Sequence, residues 1–172
     1  MGMTPESLAG LLERHFGPLV AWSGIRDGSA EDVVQEAFVR LAGQSPAPAS
    51  PVAWLYATTR HLASNHRRAE GRRDRRERET AGIEAVDGTA WATVEAKELA
   101  NMLHALPDDL REVVVARTWG GLAFGEIAAL VGRSKATVWR DYATALDRLR
   151  TMYGVTLGPS DTRHGDAHHE ST

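Results

Sequence analysis

Cysteine is absent from all 172 residues, which excludes a disulfide framework and any thiolate zinc site and makes a reducing cytoplasm the simplest setting. No stretch approaches the about 18 consecutive apolar residues of a membrane span. Glu6 and Glu13 interrupt the N-terminus where a signal peptide needs an uncharged apolar run, so neither membrane insertion nor export is expected. Alternating runs of Val, Ile, Thr and aromatic residues are also missing, which argues against strands. Among catalytic patterns there is no HExxH, no phosphate-cradling glycine motif and no G-x-S-x-G elbow. The seven histidines, His15, His61, His66, His104, His164, His168 and His169, form no ligand pattern, and the last three read as part of a solvated tail. No catalytic residue, metal ligand or cofactor is therefore expected, and the chain is read as a non-enzyme.

What is present is ordinary for a folded protein: 42% hydrophobic and 25% charged residues. The formal net charge of −3 hides an uneven distribution. Between Arg67 and Arg78 seven arginines face only Glu70, Asp74 and Glu77, so one basic patch sits on an otherwise acidic chain. Phosphate neutralisation supplies most non-specific DNA affinity, and repulsion from the acidic remainder opposes it. Weak binding to free DNA, and a partner that holds the chain there, are therefore expected.

The hydrophobic spacing is helical nearly throughout, and the fold class is all-α: two small helical domains joined by a flexible linker, the C-terminal one a helix-turn-helix. A first helix is expected from Pro5 to about Trp22, with Thr4 as N-cap and a break or kink at Gly17-Pro18. A second begins at Ser29, whose Ser-Ala-Glu-Asp reads as a capping box, with Val34, Ala37, Phe38 and Leu41 as its apolar face. Gly43 to Pro51, with three prolines, makes a loop, and a third helix runs from Pro51 into the arginine-rich stretch. The expected domains are 5–78 and 94–153, with a linker at 79–93 and a disordered tail at 154–172. Within the second, helices are expected over about Val94 to Ala105 and from Pro107 to Arg117, and Trp119-Gly120-Gly121 turns the chain.

Residues Phe124 to Arg150 carry the helix-turn-helix signal. Ile127, Ala128 and Val131 form one apolar face, Gly132 the turn, Ser134 the cap, and Val138, Tyr142, Ala145 and Leu149 the inner face of the second helix. Lys135, Ala136, Trp139, Arg140 and Ala143 fall on the opposite face, where major-groove readers make base contacts. Arg140 suits a bidentate pair with guanine, Lys135 a phosphate, and Trp139 either a DNA contact or a neighbouring helix. On the second helix Asp32, Gln35 and Glu36 share one face and form a polar surface, either solvated or used for docking.

AEDVVQEAFVRL, WLYATTRHLASNHRR with the basic residues after it, and LPDDLREVVVAR before the helix-turn-helix, in this order, resemble the extracytoplasmic-function (ECF) sigma factors of bacteria over about Leu8 to Leu149. The resemblance implies a region 2 domain and a region 4 domain in a dissociable promoter-specificity subunit that directs core RNA polymerase and opens promoters. It implies that Asp32, Gln35 and Glu36 dock on the β′ clamp helices. Trp54, Leu55, Tyr56, Arg60, His61, Asn65, Arg67 and Arg68, with Arg72 and Arg73 beyond, fall on the minus-ten and melting segment. Stacked rings and arginines there suit unstacked single strands, although core packing is the preferred reading of Trp54 and Leu55. The loop at Gly43 to Pro51 corresponds to the one that pockets a flipped base. Lys135, Ala136, Thr137, Trp139 and Arg140 correspond to the minus-thirty-five reading face. The implied partners are core polymerase, through the β′ clamp helices and β flap, promoter DNA, and an anti-sigma factor or other regulator. His61, Ala123 and Trp139 depart from the usual family residues, so no promoter sequence transfers. The alternative is a stand-alone helix-turn-helix regulator, which would bind a palindromic duplex alone as a dimer.

Overall fold

The computed structural model describes residues 2–77 and 101–154, with backbone alone for 72–77. The expected linker, the start of the helix expected from Val94, and the tail beyond Gly154 lie outside the described residues. Every regular element among the described residues is a helix: α1 (Pro5–Ser23), α2 (Ser29–Ala42), α3 (Pro51–Glu77), α4 (Asp108–Thr118), α5 (Phe124–Val131) and α6 (Lys135–Tyr153). Residues 101–104 are also helical.

Helix α1 starts as its sequence predicts. Thr4 accepts from the Ser7 amide and Pro5 occupies the first turn. Of the break or kink expected at Gly17-Pro18, the break does not occur, because the helix runs on to Ser23 with Pro18 inside it. The proline removes one backbone donor, but Leu19 and Trp22 beyond it are fully buried, and their packing holds the last turns in place. The start of α2 also departs from expectation. Ser29 is the first helical residue rather than the cap, and Asp27 serves the helix end by accepting from the Ser29 amide at 2.9 Å.

Helices α1, α2 and α3 pack on one another. Val34, Ala37, Phe38 and Leu41 are buried as their spacing predicts. The Trp22 indole donates to the Tyr56 carbonyl at 3.0 Å, and the two rings meet edge to face. In the second half α4 packs on α5 and α6. Ser134 caps α6 by accepting from the Thr137 amide at 3.1 Å. Gly132 makes the turn at φ 72°, a left-handed conformation that glycine adopts without Cβ strain.

The two halves are not separate. Every residue of α4 from Leu110 to Ala116 is buried, and α4 packs on α1 as well as on α5 and α6. One continuous apolar core links Leu11, Leu19, Trp22, Leu55 and Tyr56 to Leu103, Leu106, Leu110 and Val113. At the seam a Cβ on Gly120 would lie 3.0 Å from the Tyr56 ring and 2.5 Å from the Ala116 carbonyl oxygen, so the close approach needs glycine.

Burial, reinforced by Arg14, holds the His15 imidazole below its ordinary value, and burial beside Arg111 and Arg26 does the same for His104. Unfolded histidines take up protons near pH 6.5 while these two resist, so acid favours the unfolded chain. The melting temperature should fall as the pH drops below about 6.5, and His15→Gln should shrink that fall. Equal pH dependence in the two proteins would remove His15 from this account.

Candidate nucleic-acid interface

Three surfaces hold the residues singled out by the sequence. The first is the outer face of α2, where Asp32, Gln35 and Glu36 are all exposed and Glu36 pairs with Arg40 at 2.7 Å. Gln35 also borders an apolar groove of about 420 Å³ between α1 and α2, lined by Leu12, Phe16 and Gly17 and flanked by Glu13 and Glu31.

The second surface is α3. Its helical register turns Leu55, Tyr56 and Thr59 inward to full burial, while His61, Asn65, Arg67 and Arg68 are exposed. Tyr56, which the resemblance placed on the melting segment, is thus a core residue, and burial pushes its phenol well above the ordinary tyrosine value. Leu55 packs as expected. Trp54 is half-buried and, with Arg40, Gln44, Thr58 and His61, lines a cavity of about 550 Å³ beside the proline-rich loop. His61 and Asn65 are hydrogen-bonded at 3.0 Å, and Arg67 donates to the Ser23 carbonyl at 2.7 Å. The side chains of Arg72 and Arg73 lie outside the described residues. Arg60 is not turned to solvent alone. Its Nε lies 3.2 Å from a Glu112 carboxylate oxygen, and its Nη1 donates to the Leu130 carbonyl at 3.5 Å. Sequence reasoning passed over Glu112. Its signal was a charged residue at the head of the apolar run EVVVA, where a buried carboxylate needs a cation.

The third surface is the N-terminal half of α6. Lys135, Ala136, Trp139 and Arg140 are exposed together, and Thr137 is half-buried against the Ser134 cap. Trp139 keeps 57% of its surface open, so it does not cover a neighbouring helix. Arg140 is folded back on its own helix, donating weakly to the Ala136 carbonyl and the Thr137 hydroxyl at 3.4 Å, and is free to extend. The expected small apolar crossing is in place, with Ile127, Ala128, Val131, Val138, Ala145 and Leu149 buried. Ala123 has no side-chain acceptor, but Glu126 reaches back to its amide at 2.7 Å and supplies half of a capping box.

Residues 17–73 match the Sigma-70 region 2 model, and residues 96–149 match the Sigma-70 region 4 model. Among curated proteins, the ECF RNA polymerase sigma factor SigC of Mycobacterium tuberculosis is 32% identical over 127 residues, covering 71% of this chain and 69% of SigC. The chain belongs to the ECF sigma factors. The ECF RNA polymerase sigma-E factor of Escherichia coli is 28% identical over 134 residues, covering 66% of the chain and 68% of that protein. A solved structure of the sigma factor RpoE of Bartonella quintana, in complex with the anti-sigma factor NepR, covers 89% of this chain and 99% of its own at a TM-score of 0.64. At 19% identity it supports the fold. Membership of a family of non-catalytic polymerase subunits displaces the stand-alone regulator, and no helix among the described residues is long and apolar enough to cross a membrane.

Asp27, His66 and Glu70 of this sigma factor bring their ligand-type atoms within 4.8 Å of one another. Ser29 explains the grouping. Its hydroxyl contacts Asp27 and lies 2.8 Å from His66 Nε2, which in turn lies 3.2 Å from Glu70. The network ties the α1–α2 turn to the exposed basic part of α3. Hydrogen bonding from Ser29 holds the Asp27 carboxyl below its ordinary value, so its support is present above the ordinary carboxylate range and lost as the pH falls through its lowered value. Asp27→Ala should cost about 1 kcal/mol in denaturant unfolding at neutral pH, as loss of a helix cap does. An unchanged midpoint would show that water replaces the carboxylate without cost.

Proposed function

We propose that this sigma factor docks on the β′ clamp helices of core polymerase through Asp32, Gln35 and Glu36. In the same reading α3 engages the minus-ten element through Arg60, His61, Asn65, Arg67, Arg68, Arg72 and Arg73. The face Lys135, Ala136, Thr137, Trp139 and Arg140 reads the minus-thirty-five element, and region 4 also meets the β flap. The observation that carries this reading is the separate exposure of the acidic α2 face and the basic α6 face, each on the family segment that matches it. The chemistry agrees with the roles. Exposed carboxylates suit a basic helical partner, and an exposed Lys, Arg and Trp at the start of a recognition helix suit phosphate, guanine and thymine methyl.

The cavity beside Trp54 supports a further part of the reading. Its about 550 Å³ accommodates a nucleobase, with the Trp54 ring to stack on it and Gln44, Thr58, His61 and Arg40 to meet its polar edge. The sigma factor supplies no catalytic group in this scheme, because phosphoryl transfer belongs to core polymerase. Its site of action is the cytoplasm, where polymerase and chromosome are found, and an anti-sigma factor or other regulator is the additional partner we assign.

Asp32→Lys should weaken core polymerase binding roughly ten-fold or more while leaving the melting temperature unchanged, since it reverses charge on an exposed docking face. Retained affinity in a titration of labelled sigma factor would remove α2 from the docking role. Arg140→Ala should weaken recognition of the upstream element by about 1 to 3 kcal/mol in the assembled holoenzyme. Promoter selectivity identical to that of the wild type would show that Arg140 touches no base.

A further inference from the structure

The turn between α1 and α2 meets α3 over a small apolar cluster of its own. Ile25 before Asp27 and Ala30 after it are buried against Ala63 of α3. His66 and Glu70 follow Ala63 at the spacing that keeps all three on one face of the helix, so they stand over the same turn. An imidazole and two carboxylates, from Asp27, His66 and Glu70, are thereby gathered at one place, each half-buried, with their ligand-type atoms within 4.8 Å of one another.

Two features set this group apart from a surface ion-pair network. The first is the choice of partners. Glu70 belongs to the arginine-rich stretch and Asp27 follows Arg26, yet among the described residues neither carboxylate pairs with an arginine or a lysine. Arg67 gives its guanidinium to the Ser23 carbonyl at 2.7 Å, and Arg26 donates to the His104 carbonyl at 2.9 Å. Both acids converge instead on His66 Nε2, Glu70 directly at 3.2 Å and Asp27 through the Ser29 hydroxyl, which lies 2.8 Å from that nitrogen. The second feature is the spacing. Two ligands each about 2.0 to 2.2 Å from a tetrahedral ion stand about 3.3 to 3.6 Å apart, and the His66–Glu70 separation is close to that edge. Residues at i and i+4 of a helix can share one ion for the same reason. Asp27 has two oxygens, so one can keep the Ser29 amide while the other takes a cation.

We propose that Asp27, His66 and Glu70 form a binding site for a divalent first-row transition metal of the zinc class, with the Ser29 hydroxyl or a water as fourth ligand. One imidazole nitrogen with carboxylate oxygens and no thiolate matches Zn²⁺ and its neighbours in that row. Soft Cu⁺ prefers sulfur, and Mg²⁺ prefers an octahedral shell of oxygens. Because the ligands come from the turn and from α3, the ion clamps one on the other and its binding energy adds to folding. It also cancels the two negative charges beside Arg67 and Arg68, a consequence for DNA that rests on the reading of α3 as the minus-ten helix, whereas the site itself does not. Asp27 lies on the far side of α2 in sequence, which is why the sequence alone shows no ligand pattern.

The test uses the full chain without an affinity tag, freed of metal by chelation, and carrying His164→Gln, His168→Gln and His169→Gln so that the tail histidines contribute nothing. In calorimetric titration this parent should bind one Zn²⁺. At about one hundred times the measured Kd, zinc should raise the melting temperature by about 5 to 10 °C, and Mg²⁺ at the same concentration should leave it unchanged. His66→Gln and Glu70→Gln should each weaken zinc binding about 10- to 100-fold and remove most of that rise. Both side chains are partly exposed, and circular dichroism with the metal-free melting temperature shows whether each variant is folded. A parent whose melting temperature ignores zinc, or zinc bound as tightly by both variants as by the parent, would overturn the proposal. Neither polymerase nor DNA is present, so a failure of the promoter reading would leave these outcomes unaffected.

Discussion

The middle of helix α4, Leu110 to Ala116, is buried on every side, and the need to surround it arranges the rest of the molecule. Its apolar run, Leu110 and Val113 to Ala116, leaves no face for solvent, so α5 and α6 alone cannot satisfy it and α1 packs on it as well. That requirement brings Trp22 and Tyr56 of one half against the other, where Gly120 permits contact with the Tyr56 ring. It also sets the register of α3. With Leu55, Tyr56 and Thr59 turned inward, His61, Asn65, Arg67 and Arg68 are turned outward. Burial of one helix thus both assembles the scaffold and orients the basic surface on it.

The seam combines an apolar core with polar atoms that it does not satisfy. Tyr56 OH, Arg111 Nε and His104 Nδ1 are buried without a hydrogen-bond partner among the described residues. Each such atom costs about 1 to 3 kcal/mol relative to its hydrated state. Arg111 is almost fully buried, and among the described residues its ion pair is with the exposed Asp108.

The helical class, the order of the elements and the helix-turn-helix were legible in the sequence, because each rests on local chemistry. Thr4, Pro5, Gly132 and Ser134 act on neighbours within a turn, and the structure shows each in the expected role. Where a distant contact decided the outcome, local reasoning failed. Pro18 does not break α1 because Leu19 and Trp22 anchor the turns beyond it, and Ser29 does not cap α2 because Asp27 precedes it while His66 draws the hydroxyl aside. The candidate surfaces show the same division. The α2 and α6 faces are set by helical spacing. The engagement of Arg60 by Glu112 joins residues 52 positions apart, and no spacing rule reports it.

The central claim is that the chain confers promoter choice on core polymerase. Run-off transcription with purified bacterial core on pooled genomic DNA of the host, with and without the chain, measures it most directly. The account predicts discrete new start sites that share two spaced upstream motifs and appear only when core and chain are both present. No new starts, together with tight binding of a palindromic duplex by the chain alone, would contradict it.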